Sequence, residues 1–334
     1  MKISLQKLQF LIMPVGLCLF EWLILKQMFP LYSGPLEYDM DPAYQYLFNS
    51  VFILNGQTPF HIDHPGTPLQ IFCAIIIFII WAVRSLSGAT FDSIPLSVAT
   101  SPELYLKAIS FTLVLVNAWA LYYLAVKVYR STQSIGISLF CQCVLFSTSI
   151  LIFRVGYPSP ESLLIFITVC LLGLLSPLIF NPKATNNSRA DRVSPVWAGV
   201  LCGLGVAIKL NFLPVLGLLL LFNRKRTFLI SSGFVIIGWL IGILPIISKI
   251  PVLFGWIINV ATHSGVHGSG QKGIFVFTDF AWHSAEMYRA FTFFYILIGL
   301  LISIFLMQLI YLIVRTIGRL VASYQNIKVK ENSV

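Results

Sequence analysis

SLLIFITVCLLGLLSPLIF, residues 162–180, is nineteen residues without a single charged side chain. The hydrocarbon core of a bilayer takes about 20 apolar residues per helical span. Seven other runs meet or approach that length: Leu8–Phe29, Leu69–Val83, Leu104–Val126, Ile135–Phe153, Val196–Phe222, Phe228–Ile247 and Phe291–Val314. Of the 334 residues, 57% are hydrophobic and only 10% charged, and mean hydropathy is +0.87, far above a soluble domain. The expected fold is all-α, a polytopic transmembrane helical bundle of about eight spans, forming one integral-membrane domain over residues 1–334. Lys2 and Lys7 ahead of the first run, with no small-residue cleavage site, predict a retained anchor.

The net charge of +10 does not point to nucleic acid. The positive side chains flank spans (Lys127, Arg130; Arg224, Lys225, Arg226; Arg315, Arg319), where the positive-inside rule places them. Both termini are therefore expected in the cytoplasm, with 315–334 as a basic tail. Residues 30–70 and 248–288 then form two external loops. Eight simple spans fit both ends but put Lys127/Arg130 and Lys183/Arg189/Arg192 outside. An alternative keeps Leu69–Val83 from crossing and splits Val196–Phe222 around Lys209; it obeys the charge rule. The six cysteines all sit in apolar runs and are expected to be free core thiols.

The titratable groups are concentrated in the two external loops. Residues 30–70 carry Glu37, Asp39, Asp41, Asp63, His61 and His64 with no lysine or arginine, and the other three histidines are His263, His267 and His283. Asp41-Pro42 opens, and Asn55-Gly56 closes, a segment expected to be an interfacial helix. Asp41 at its N-terminus is held ionised by the helix dipole and suits a general base; helix capping by Asp41 is the plain alternative. Asp39 beside it is a second carboxylate, and Tyr44 joins the candidate substrate-binding set. In His61-Ile-Asp63-His64-Pro65-Gly66-Thr67-Pro68 two prolines stiffen the turn and aim Asp63 and His64. His263 and His267 have a His-x3-His spacing, but Gly265, Gly268 and Gly270 argue for a mobile loop over substrate. Lys209, inside an apolar run, is costly and marks function or snorkelling. Arg154 and Glu161 flank a short turn and are taken as loop punctuation; Glu21, within the first run, has no evident partner.

An acidic first external loop with Asp39-Met-Asp41, then Asp63-His64-Pro65 leading into an apolar run, resembles the GT-C glycosyltransferases, in the branch with protein mannosyltransferases and aminoarabinose transferases. Gly203-x-Gly-x-Ala-x-Lys209 and the His/Gly loop before the last run are also similar to that branch. The resemblance implies a GT-C-like first loop carrying interfacial helices and a polyprenyl-phosphate-linked sugar donor. It implies Asp41 as catalytic base, with Asp39 second, and Asp63 holding the site or a metal. It implies His64 on the lipid phosphate, where a lysine is frequent in the family. A divalent cation on Asp39, Asp63 and His263 is the candidate cofactor, and His64, Lys209, Tyr44, His263 and His267 are the candidate substrate-binding residues. The expected partners are the lipid-linked donor, membrane lipid and an unspecified acceptor, at the outer face of the plasma (inner) membrane. A transporter or flippase of a lipid-linked sugar, or a non-catalytic membrane subunit, are the alternatives.

Overall fold

The computed structural model describes residues 8–28, 43–60, 62, 66–88, 93–146, 149–180, 194–222, 224–262, 277–292 and a few positions up to 307. Every regular element among them is helical. The chain divides into two compact units, Met1–Phe254 and Gly255–Val334. Among the described residues five helices are long and apolar enough to cross a membrane, so this is a multi-pass membrane protein.

The first unit contains α1 (Ile12–Met28), α2 (Ala43–Leu54), α3 (Thr67–Leu86), α4 (Ile94–Thr100), α5 (Pro102–Thr132), α6 (Ile135–Gln142), α7 (Ser149–Val155), α8 (Pro160–Phe180), α9 (Pro195–Ile208) and α10 (Lys225–Gly242). Local chemistry sets several boundaries. The hydroxyls of Ser93, Ser134 and Ser194 accept from the backbone N–H groups of Leu96, Ile137 and Trp197, satisfying donors that a helix start leaves bare. Gln133, left-handed at φ 56°, ends α5. Gly56 at φ 70° follows α2, matching the Asn55-Gly56 stop.

The 31-residue α5 is the pole of this unit. Its first half (Tyr105, Leu106, Ile109, Leu113) is buried in one apolar cluster with α2, α3 and α4. Its second half (Val114, Ala118, Leu121, Leu124, Val128) is buried in another with α1, α7 and α8. Helix directions follow from paired contacts. Asn117 bonds to Ser162, and Ser131 to Ser176, so α8 runs parallel to α5. Gln142 donates to the carbonyls of Phe10 and Leu121, while Glu21 and Val114 both lie against Gly156, so α1 runs antiparallel to α5.

Val196–Phe222 is not one span. The chain breaks at Lys209, whose backbone is extended (φ −157°, ψ 133°), and continues as a 3₁₀ segment, Leu210–Leu221. The contacts of α9 with α10 advance together: Gly199 with Ser231, Gly203 with Val235 and Ala207 with Gly242. The two helices are therefore parallel, and the chain between them must turn back. Lengths agree: 14 residues of α-helix span about 21 Å, and 12 residues of 3₁₀ helix span about 24 Å.

A consequence is charge sorting. Lys127 and Arg130 near the end of α5, and Arg224, Lys225 and Arg226 at the start of α10, lie at the end of these helices away from Lys209. From the level of Lys209, α3 extends the opposite way: Gly66 bonds to Ile208 at its start, and Arg84 stacks on Tyr105 near its end. All six cysteines are free, as expected.

In the second unit α12 (Phe277–Ala290) carries Trp282 edge-on to His283, with ring centroids 4.7 Å apart. Between Gly242 and α12 the chain forms a 3₁₀ segment, Leu244–Lys249, and α11 (Ile250–Ala261).

Candidate functional site

Four helix ends meet at Lys209. Gly66, left-handed at φ 49°, caps the start of α3, and its N–H donates to the Ile208 carbonyl at 3.0 Å. Glycine suits that backbone, which is costly for residues with a Cβ. Ile208 ends α9, and the break that follows swings Lys209 onto α8. Its Nζ lies 2.5 Å from Glu161 Oε1, with the two side chains 22% and 31% exposed. Glu161 occupies the first turn of α8, where the helix dipole stabilises a carboxylate. The end of α10 closes the junction, since a Cβ on Gly242 would lie 2.4 Å from Ala207 Cβ and 3.2 Å from Pro68 Cγ.

A second cation secures the approach. Lys249 Nζ donates to the Pro59 carbonyl at 2.8 Å and lies over the Phe60 ring. Phe60 N–H donates to Asn49 Oδ1 at 2.6 Å, and Ile62 is buried. The segment leading to Gly66 is thus tied to α2 and to Lys249. A lysine inside an apolar run demands a counter-charge, and that demand is the signal by which Glu161, taken from sequence as loop punctuation, was legible.

Lys209 is therefore an ion-paired lysine at a helix break. Tyr44 is elsewhere: its hydroxyl donates to Glu103 Oε1 at 3.3 Å. Glu103 precedes Asn117, which bonds to Ser162 beside Glu161, by 14 positions on α5. That separation is about 21 Å of helix. The helix α2, expected from sequence over this segment, packs on α3, α4 and α5 and buries seven of its twelve residues. Asp39, Asp41, Asp63, His64, His263 and His267 lie outside the described residues. Among the described residues no group of three or more His, Cys, Asp or Glu side chains is placed to hold a metal; Asp39, Asp63 and His263 are not among them.

Beside the junction lies a buried polar layer that sequence reasoning left unassigned. Glu21 is fully buried, its carboxylate against the Gly156 backbone, and no hydrogen bond of good geometry reaches either oxygen. Asn117 donates to the Leu113 carbonyl at 2.9 Å and to the Ser162 carbonyl at 3.3 Å, and Ser162 Oγ donates to the Val155 carbonyl. This layer joins α1, α5, α7 and α8 at the level of Glu161.

No protein-family model, no curated protein and no solved structure matches this chain.

Proposed function

We propose that this protein is an integral-membrane glycosyltransferase of GT-C type that moves a sugar from a polyprenyl-phosphate donor to an acceptor hydroxyl. The observation that carries the reading is the bond between Gly66 and Ile208. It joins the turn that follows Asp63-His64-Pro65 to the Lys209–Glu161 helix break, two segments that carry the family resemblance and stand far apart in sequence. In this reading the basic helix ends face the cytoplasm, so the junction faces outward, at the plasma (inner) membrane. The chain crosses about eight times, with the α9/3₁₀ hairpin contributing two crossings and α3 staying on the outer side. Both termini are cytoplasmic.

The chemistry is a single inverting displacement. Asp41 takes the proton of the acceptor hydroxyl, and that oxygen attacks the anomeric carbon from the face opposite the phosphate. The bond from that carbon to the phosphate oxygen breaks, and polyprenyl phosphate leaves with the electron pair. Positive charge near the leaving oxygen stabilises it; His64 and Lys209 are the chain's own candidates. Asp63, three residues from Gly66, directly precedes His64 in sequence.

The test is sugar transfer by membranes containing Asp41→Asn or Asp63→Asn, with normal insertion checked alongside. Loss of transfer in Asp41→Asn supports the base; transfer retained there and lost in Asp63→Asn reassigns it. Retention in both removes the mechanism. A lipid-linked sugar transporter is the second reading, favoured by the ion pair at a discontinuous helix, an arrangement that transporters use. Flux of lipid-linked sugar across reconstituted vesicles without glycosyl product would select it.

A further inference from the structure

Lys209 and Glu161 answer each other's charge; Glu21 has no such answer. Its side chain is fully buried in α1, neither carboxylate oxygen has a well-made hydrogen bond, and no lysine or arginine among the described residues pairs with it. A carboxylate in an apolar setting calls for a partner. The charges nearest to it are engaged or remote. Lys26, on α1 itself, lies over the Trp22 ring, and Arg154 on α7, two residues before Gly156, stacks on Tyr157. On α5 the charged residues are Glu103, Lys107, Lys127 and Arg130. Lys107 comes closest to Val114, which lies against Gly156 alongside Glu21, and is still two helical turns away, about 10 Å. The titratable group that feels Glu21 is Cys18, one turn back on α1.

Asn117 supplies a second oxygen without a donor. It is fully buried and stands one turn along α5 from Val114, on the same face. Its Nδ2 group is ringed by four acceptors: the carbonyls of Leu113, Val155 and Ser162 and the Ser162 hydroxyl. Turning the amide over would set its oxygen against those carbonyls, so the orientation is fixed and Oδ1 is left unpartnered. Glu21 Oε2 lies against Gly156 and the Asn117 amide against Val155, two adjacent residues. The donors at hand are spent or few: the Ser162 hydroxyl donates to the Val155 carbonyl, and the Gly156 backbone is a single neutral donor beside the carboxylate. Acceptors outnumber donors here, which a low dielectric makes costly. What the layer lacks is one positive charge.

We infer that Glu21 and Asn117 form the seat of an exchangeable monovalent cation, Na+ or a proton, held between the Glu21 carboxylate and Asn117 Oδ1. One carboxylate balances one positive charge. Na+ would coordinate the carboxylate and the amide oxygen together, and a proton would turn Glu21 into the donor that Oδ1 lacks. The polar layer also provides a way in. It continues through Ser162 to the neighbouring Glu161, whose side chain is 31% exposed at the junction. The inference uses none of the residues assigned to sugar transfer and holds whichever reading of the function stands.

The full chain in detergent is melted in NaCl and in choline chloride at matched pH and ionic strength. Infrared spectra of the same samples follow the C=O band of a protonated carboxyl. If Na+ is the ligand, the parent melts higher in NaCl than in choline, and the carboxyl band is absent in NaCl. A tenfold excess of Na+ over its Kd raises the folded-to-unfolded ratio about elevenfold. If a proton is the ligand, the two salts give equal melting, and the parent shows a carboxyl band that is lost reversibly as the pH is raised. Either response is expected to vanish in Glu21→Gln, which keeps the shape of the side chain without the exchangeable charge. Asn117→Ser, which draws the second oxygen back, is expected to weaken the Na+ response or to shift the carboxyl band. A Na+ response or a titrating band that persists in Glu21→Gln overturns the inference. So does a parent with neither response, and so does Asn117→Ser behaving as the parent in both measurements.

Discussion

Lys209 and Glu161 illustrate how one pair of side chains organises a fold in an apolar setting. Each charge is expensive alone, and together they lock the C-terminus of α9 to the N-terminus of α8. Removing one leaves the other partly buried and unpaired. Lys209→Met or Glu161→Gln is expected to cost about 1–3 kcal/mol, below the ~3–5 of a fully buried pair because both side chains keep some exposure. The double variant should recover most of that loss, and a double-mutant cycle on melting in detergent measures the coupling. Glu21 poses the opposite case, a buried carboxylate with no well-made hydrogen bond. Burying charge without a partner is unfavourable, so Glu21→Gln should match or exceed the parent in melting temperature. Gly156→Ala should fall below it by about 1–3 kcal/mol as overpacking, because a Cβ there would lie 2.8 Å from Glu21 Oε2 and 2.9 Å from Val114 Cγ2. Equal melting of Gly156→Ala and the parent would contradict that contact.

At the scale of elements, the pairing of α9 with α10 is set by small residues. Gly199, Gly203 and Gly238 let the backbones approach so closely that a Cβ on Gly203 would lie 2.1 Å from the Val235 carbonyl. Small residues at helix interfaces are how membrane helices gain contact where no hydrophobic driving force separates protein from lipid. Gly203→Leu is expected to separate the two helices and to release the contact of Gly242 with Pro68. The readout is loss of crosslinking between cysteines placed at Val200 and Trp239, relative to the parent pair. Gly233 faces open space in the same helix, so Gly233→Ala should leave the crosslink intact. The apolar pattern alone gave the length of Val196–Phe222; the charge rule offered a split around Lys209 as the alternative, and the backbone breaks at that residue. An uninterrupted run has no signature of a reversal when both arms are greasy, and only Lys209 broke the pattern.

Within the first unit, the helix directions put Lys127, Arg130, Arg224, Lys225 and Arg226 at one end and Gly66 at the other. In a cysteine-free background, Gln57→Cys and Ser87→Cys should react with an impermeant maleimide from the outer side. Gln133→Cys and Lys225→Cys should react only after permeabilisation. All four positions are exposed in the fold. Labelling of Ser87→Cys only from inside would show that α3 crosses the bilayer. The candidate site was legible in part. Lys209 and Gly66, which opens α3, are distant in sequence, yet they meet; Tyr44 bonds to Glu103. Proximity along the chain is a poor guide once a helix carries a residue about 1.5 Å further with each step.

Composition alone determined that this chain lives in a membrane as helices, because backbone polar groups in hydrocarbon must bond within their own segment. The residue pattern also located the helix stop at Asn55-Gly56 and the free cysteines. Which helices run parallel, which carboxylate answers Lys209, and which titratable residues meet were decided only by tertiary packing. Hydrophobic burial has no direction; the close glycine contacts, the ion pair and the Gly66–Ile208 bond supply it.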